Sequence, residues 1–156
     1  FSAVRLVELL THTCPSWEDT QHYNDIELPF RKRAWLCAAM VHGRFLSDPT
    51  RCIRDPESIP IAADYRLPQF LRASGVLNYA QELAKQVDQE QLILSGSKQE
   101  IEIRAATVVA CEELFRHLKD RYPSITQMHI DSCLWNAAVD NQESIAPFHR
   151  TRTLAY

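Results

Sequence analysis

Glycine is scarce in this chain, which has 3 glycines among 156 residues against 8 prolines. Strand-rich barrels use glycine at tight turns and bulges, so the shortage favours helices over a β-barrel. No apolar run is long enough to cross a bilayer, and the N-terminal stretch FSAVRLVELL lacks the layout of a signal peptide. The length, with 46% hydrophobic and 24% charged residues, is typical of one globular domain that is not bound to a membrane.

Paired cysteine and histidine motifs are also missing. The 5 cysteines are odd in number and include no CxxC pair, and the 6 histidines include no HExxH motif. This pattern argues against a disulfide framework and a structural zinc site, and it favours a reducing, cytoplasmic compartment. We therefore expect no metal and no cofactor. The net charge of -3 lacks the basic excess typical of a nucleic-acid-binding protein.

Apolar residues recur at helical spacing through most of the chain, which predicts an all-α, multi-helix single domain. The connection from Trp17 to Glu27 has no such pattern and is predicted to be rich in turns, with Asp25 at its tip. Pro147 predicts a non-helical tail. Helices are predicted over residues 2–10, 29–45, 68–74, 79–87, 101–122 and 124–141, with a capping box at 97–100 before the longest one.

The stretch 61–77, IAADYRLPQFLRASGVL, collects several polar groups around one predicted helix start. Pro68 favours an extended or turning backbone before it and a helix after it, which Gly75 ends. Helix starts favour anions, so this stretch is a candidate for binding a phosphate and positioning a carboxylate. The alternative is that Asp64 caps the helix and Arg66 pairs with a surface acid.

Two further helix starts carry charge where it is unfavourable. The predicted helix after Pro29 begins with Arg31, Lys32 and Arg33, against the preference of helix starts for acids, which hints at an anionic partner. A solvated basic turn explains the same residues equally well. Arg104 lies in the first turns of the longest helix, where we expect a specific acidic or phosphate partner for it.

Asp131 is a carboxylate within the apolar stretch MHIDSCLW. A buried aspartate is rare unless it is paired or functional, and loss of solvation raises its pKa, as active-site acids and bases often require. The alternative is a capping or salt-bridged aspartate.

Six blocks occur in order along the chain: FSAVRLVELL, FRKRAW, ADYRLPQFLRASGVLNY, SGSKQEIEIRAAT, IDSCLW and PFHRTRTLAY. Taken together, they resemble the queuosine salvage protein family, whose members resemble queuosine 5′-phosphate N-glycosylases that release the base queuine. The chain departs from the family pattern at Ala62, Asn136 and Ala155. The matching positions include Lys32, Asp64, Arg66, Gln69 and Asp131.

The resemblance implies a fold similar to helical DNA glycosylases, with residues 1–156 as the C-terminal catalytic part of a longer protein whose N-terminal part is missing here. It implies a small-molecule nucleotide, queuosine 5′-phosphate, as the partner, with no cofactor, no direct nucleic acid and no membrane. The resemblance implies that Asp131 acts at the sugar and that Asp64 holds the base or shares the acid–base role. Lys32 is the implied phosphate ligand, supported by Arg66, His149 and Arg150. Tyr65 and Gln69 are implied to form hydrogen bonds with the base or the ribose. The sequence does not decide which of the two aspartates takes which role.

Two other functions remain open at this point. One is a non-catalytic helical domain that binds a nucleotide or a partner protein. The other is a nucleic-acid glycosylase, which predicts a contiguous basic surface, a feature that the acidic net charge disfavours.

Overall fold

Six helices and one small hairpin make up the chain, and the computed structural model describes all residues, Phe1–Tyr156. The predicted all-α class is confirmed, since the hairpin is its only sheet. No helix is both long and apolar enough to span a membrane. The elements in order are α1 (Ala3–Thr13), β1 (Thr20–Tyr23), β2 (Ile26–Pro29), α2 (Lys32–Arg44), α3 (Arg66–Ala73), α4 (Gln81–Asp88), α5 (Lys98–Lys119) and α6 (Gln127–Asp140), with short 3-10 turns at Pro15–Trp17 and Pro56–Ser58.

The predicted turn-rich connection before α2 is a β-hairpin. Strands β1 and β2 pair antiparallel, with Thr20 opposite Pro29, and the chain reverses after Asn24, whose φ is +53°. Asparagine tolerates this left-handed conformation better than most residues do. Pro29, predicted to open the second helix, instead ends β2, and α2 begins at Lys32. A strand end suits proline because it has no N–H to donate.

Three apolar clusters form the core, and the smallest joins α4 and α5 through Val87, Ile93 and Ile103. Of the two larger clusters, one joins α3, α5 and α6, and the other packs α1 against α2. Ala34 and Ala38, four residues apart on α2, are fully buried against α1. Their small side chains allow the two helices to approach closely. The segment 53–63 runs between the two clusters and supplies buried residues to both. It therefore leads directly into the polar stretch at Asp64.

Helix α3 begins earlier than its proline suggested. Leu67 was predicted to be extended or in a turn, but it is helical, and Pro68 is the third residue of the helix. The Asp64 carboxylate stabilises this start by accepting the N–H groups of Arg66 (2.7 Å) and Leu67 (3.2 Å). The helix ends as predicted before Gly75, whose φ is +73°.

The C-terminal segment is non-helical, as Pro147 predicted, and it returns across the molecule to pack beside α3 and α5. Gln69 donates to the carbonyl of Ala146 (2.9 Å), and Ile93 N–H donates to the carbonyl of Arg150 (2.8 Å). Arg33 on α2 donates to the carbonyl of Leu154 (3.1 Å). These bonds carry the final residue, Tyr156, back to the centre of the fold.

Candidate active site

A cleft of about 640 Å³ opens between α2, α6, the segment before α3 and the C-terminal residue. Its volume lies in the range of small-molecule sites, which typically measure about 300–1,000 Å³. The lining is mainly apolar, with a few polar groups directed into it. The lining residues are Lys32, Leu36, Met40, Ala62, Asp64, Tyr65, Asp131, Ser132, Trp135, Asn136 and Tyr156.

Asp64 lies at the buried end of the cleft and is 5% exposed. Its Oδ1 caps α3, as the structural alternative predicted, so the N–H groups of Arg66 and Leu67 are occupied. Pro68 has no N–H, and the predicted phosphate site at this helix start is therefore wrong. Burial raises the pKa of Asp64, and the Leu67 N–H and the charge of Lys32 oppose that rise. Oδ2 accepts no hydrogen bond from the protein.

Asp131 lies in the second turn of α6 and contributes the other carboxylate of the cleft. Its Oδ2 accepts the N–H of Ala62 (2.8 Å), which ties α6 to the segment before α3. Burial raises the pKa of Asp131 to about 6, and the nearby charge of Asp64 adds to the rise. The Ala62 N–H and Lys32 act in the opposite direction. Each carboxylate is thus held through one oxygen, and the two are close enough to influence one another electrostatically.

The three basic residues around the start of α2, Arg31, Lys32 and Arg33, have different surroundings. Arg31 pairs with Glu18 (2.6 Å), and Arg33 lies over the ring of Trp17, 4.8 Å from its centroid. Lys32 lines the cleft. None of the ion pairs within 4 Å involves Lys32, Asp64 or Asp131. The cleft therefore holds one lysine and two carboxylates, and the lysine charge lowers the pKa of both carboxyls without a direct salt bridge.

Apolar side chains line the walls of the cleft at helical spacing from these charges. Leu36 and Met40 follow Lys32 at intervals of four residues, so all three lie on one face of α2. Trp135 follows Asp131 by the same interval on α6. None of these three apolar residues was predicted to line a site, although their spacing from Lys32 and Asp131 was a usable signal. Met40 is 68% exposed and Trp135 is 42% exposed, so both present apolar surface to whatever occupies the cleft.

Arg66 and Gln69, which match the family pattern, do not line the cleft. Arg66 donates to Gln69 Oε1 (3.1 Å) and to Gln142 Oε1 (3.2 Å), and its guanidinium lies 4.9 Å from the centroid of Phe148. Gln69 in turn donates to Ala146. Both side chains therefore attach the C-terminal segment to α3. Tyr65 does line the cleft and packs against Phe148, with the ring centroids 4.5 Å apart.

The two basic candidates of the tail lie in different surroundings. His149 is 2% exposed, and its Nε2 lies 3.1 Å from the Tyr156 hydroxyl, so it reaches the cleft through one intervening side chain. Burial, helped by the charge of Arg104, lowers the pKa of His149 to about 4. Arg150 is exposed and pairs with Glu90 (2.9 Å) outside the cleft.

Arg104 has the acidic partner that its position predicted. The guanidinium is fully buried and binds both carboxylate oxygens of Asp19, at 2.9 and 2.6 Å. This ion pair lies behind the cleft, where Tyr156 covers it. No group of three or more His, Cys, Asp or Glu side chains is placed to hold a metal ion.

Comparison with known proteins identifies relatives over the whole chain. The family model described as queuosine salvage protein matches residues 1–156. A Sphaerobacter thermophilus protein named queuosine 5′-phosphate N-glycosylase/hydrolase is 35% identical over 155 residues, which are 99% of this chain and 48% of that protein. A Mus musculus protein of the same name is 33% identical over 164 residues, again 99% of this chain and 48% of the relative. The chain thus spans about half the length of the curated relatives it matches.

Proposed function

This chain belongs to the queuosine salvage protein family, and on that basis we propose that it forms the catalytic side of an N-glycosyl hydrolase. The substrate is queuosine 5′-phosphate, and the product of interest is the free base queuine, available for tRNA modification. The relatives carry the activity in their names. For this chain, the supporting observation is that Asp64, Asp131 and Lys32, from three separate elements, line one cleft.

The reaction needs negative charge beside the sugar. As the bond between base and ribose breaks, positive charge builds on the ribose, and a fixed carboxylate stabilises the resulting oxocarbenium-like state. Asp131 and Asp64 are each held through one oxygen and have one oxygen free of protein hydrogen bonds. Because the carboxylates are held in place before the substrate binds, little reorganisation is required during the reaction.

Asp131 is the better candidate for activating water. Its pKa of about 6 lies near neutral pH, where a general base is most effective because it is ionised yet still basic. Asp64 lies deeper, and we assign it to the base or to sharing the acid–base role. The two carboxyls influence each other's titration, so a measured pH profile belongs to the pair rather than to either residue.

The remaining lining supports recognition of the nucleotide. Lys32 lines the cleft and has no ion-pair partner in the protein, and we assign it to the 5′-phosphate. Tyr65, Trp135 and Tyr156 provide aromatic surface for the base. Queuine is a 7-deazaguanine, so it lacks the ring nitrogen whose protonation often assists departure of a purine. The carboxylates at the sugar and the contacts to the base therefore carry more of the catalysis.

The direct test is release of queuine from queuosine 5′-phosphate by the complete protein, followed by chromatography. We expect turnover to fall strongly in Asp131→Asn and in Asp64→Asn. Asp140→Asn, an exposed position at the end of the same α6 helix, is the matched control and should keep normal turnover. Unchanged turnover in both cleft variants would refute the site assignment.

A binding domain without catalysis is the second candidate for this chain, because the chain spans only about half the length of its named relatives. Calorimetry with queuosine 5′-phosphate and with queuine distinguishes the two. Binding without product indicates a binding domain, and product indicates an enzyme. A nucleic-acid substrate would instead require retardation of an oligonucleotide at low salt, which we do not expect at a net charge of -3.

A further inference from the structure

A buried cluster of charged groups lies directly behind the cleft and contacts two of its walls. Its centre is Arg104 on α5, whose side chain is 0% exposed. The guanidinium binds Asp19 through two hydrogen bonds and lies 3.5 Å from Glu100 Oε1. It is also packed between the rings of Phe30 (4.0 Å) and Tyr156 (4.9 Å). No substrate can touch this group while those rings cover it.

On one side, the cluster holds the start of α2. Asp19 Oδ2, which binds Arg104, also accepts the backbone N–H of Lys32 (3.2 Å). The Asp19 carbonyl accepts the N–H groups of Phe30 (3.1 Å) and Arg31 (3.4 Å). Asp19 thereby supplies the anionic cap that this basic helix start lacks in its own first turn. The backbone position of Lys32 therefore depends on an aspartate that Arg104 holds in place.

On the other side, the cluster holds Tyr156. The Tyr156 hydroxyl donates to Glu100 Oε1 (3.0 Å), the same oxygen that faces Arg104. His149 Nε2 lies 3.1 Å from that hydroxyl. Because the hydroxyl proton goes to Glu100, the imidazole must donate from Nε2, which agrees with a neutral His149. The ring of Tyr156 is thus fixed as a wall of the cleft by the same guanidinium.

We propose that Arg104 is a positioning residue that fixes Lys32 opposite the cleft carboxylates and Tyr156 beside them. It acts through Asp19 on α2 and through Glu100 on Tyr156, without contact to the substrate. The proposal rests on the proposed function only in giving Lys32 the phosphate. The position of Lys32 relative to Asp131 is a property of the protein without substrate, so it can be tested without measuring catalysis.

The pKa of Asp131 reports this position. The groups that influence it are Asp64, Lys32 and the N–H of Ala62, and Arg104 is not among them. Arg104→Lys keeps the buried charge but cannot bind both oxygens of Asp19 while also reaching Glu100. If α2 then shifts, Lys32 moves away from Asp131 and the pKa of Asp131 rises. The substitution itself has no direct charge effect on Asp131, because lysine carries the same charge as arginine.

The experiment is a titration of the Asp131 carboxyl carbon by NMR in the complete protein. We expect the pKa in Arg104→Lys to rise toward its value in Lys32→Met, by on the order of one unit. In the double variant Arg104→Lys/Lys32→Met, the value should equal that of Lys32→Met alone. Arg116→Lys on the same helix, where the exposed arginine pairs with Glu113, should leave the titration unchanged.

Three results would overturn the proposal. They are an unchanged Asp131 pKa in Arg104→Lys, a further rise in the double variant, and an equal rise in Arg116→Lys. If Arg104→Lys does not fold, Phe30→Leu replaces it, because it removes one ring from the guanidinium and leaves the ion pair intact. A smaller rise is then expected, and no rise refutes the proposal. If the titrations follow this expectation but the complete protein releases no queuine, the proposed function is refuted and the positioning role of Arg104 is not.

Discussion

Two groups of buried charge lie side by side in this protein and differ in how completely they are paired. Behind the cleft, Arg104 neutralises Asp19 and also faces Glu100, and nearly every oxygen and terminal nitrogen of this cluster has a partner. In the cleft, Asp64 and Asp131 each have one oxygen without a protein partner, and Lys32 has no counter-ion within 4 Å.

The difference separates a structural use of charge from a chemical one. Buried charge with a close counter-ion holds elements in place, and removing one member leaves the other unpaired. Carboxylates that are desolvated but incompletely paired have raised pKa values, and such groups occur mainly at functional sites. The protein uses the first group to hold the second in position.

The largest effect should come from the paired cluster. Arg104→Met leaves Asp19 and Glu100 buried without their cation, so the free energy of unfolding should fall by about 3–5 kcal/mol. Urea denaturation measures it. Arg116→Met, at an exposed arginine of the same helix, should change stability by less than about 0.5 kcal/mol. An equal loss of stability in both variants would show that the buried cluster around Arg104 does not have the structural role assigned to it.

In the cleft, a substitution should reduce turnover and leave folding stability unchanged or higher. Asp131→Asn keeps an acceptor for the Ala62 N–H but removes the basic carboxylate, so turnover should fall by about 100-fold or more. This corresponds to about 2.7 kcal/mol in the barrier. Folding stability at neutral pH should stay equal or rise, because a desolvated charge has been removed. A stability loss as large as that of Arg104→Met would mean that Asp131 is structural.

A third prediction concerns the contribution of Lys32 to nucleotide affinity. Lys32→Met should weaken binding of queuosine 5′-phosphate by about tenfold or more, since a charge-assisted hydrogen bond contributes about 1.5–3 kcal/mol. Binding of the nucleoside without phosphate should change much less. Arg150→Met is the control, because Arg150 pairs with Glu90 at the surface and lies outside the cleft. Calorimetry with both ligands measures these affinities, and equal loss for both would place Lys32 elsewhere than at the phosphate.

A further difference between the two groups concerns pH. The pKa of Asp131 is raised from 3.8 to about 6 in the folded protein, so its protonated form favours folding. That contribution is fully present below pH 3.8 and is lost as the pH rises through about 6. Relative to Asp131→Asn, the wild type should therefore lose stability across this range. Urea midpoints at several pH values test this, and parallel curves for the two proteins would contradict it.

Local patterns in the sequence predicted much of the fold. Helical periodicity found every α-helix, although α2 began later than expected because Pro29 ends a strand. The hairpin was missed, since its short strands have no clear alternation of buried and exposed residues. The start of α3 was misplaced because Asp64, which caps it, overrides the preference of the residue before Pro68.

The cleft was predicted in part. Lys32 and Asp131 were identified from their unfavourable local positions, Asp64 from its place at a helix start, and all three from the family blocks. Arg66, Gln69 and Arg150 occur in the same blocks, yet the structure gives them partners away from the cleft lining. His149 reaches the cleft only through the lining residue Tyr156. A motif shows that residues occur together in sequence, but it does not show which of them support the others.

The sequence by itself determined the all-α class, the scarcity of sheet and the presence of acids and cations at positions that they normally avoid, because these follow from composition and spacing. Only the tertiary structure decided which partner each charge received. Asp19 meets Arg104 across 85 residues of chain, and Ala62 meets Asp131 across 69. Such encounters depend on how helices pack in three dimensions, and the packing leaves one pair of carboxylates free in the cleft while it neutralises the cluster behind it.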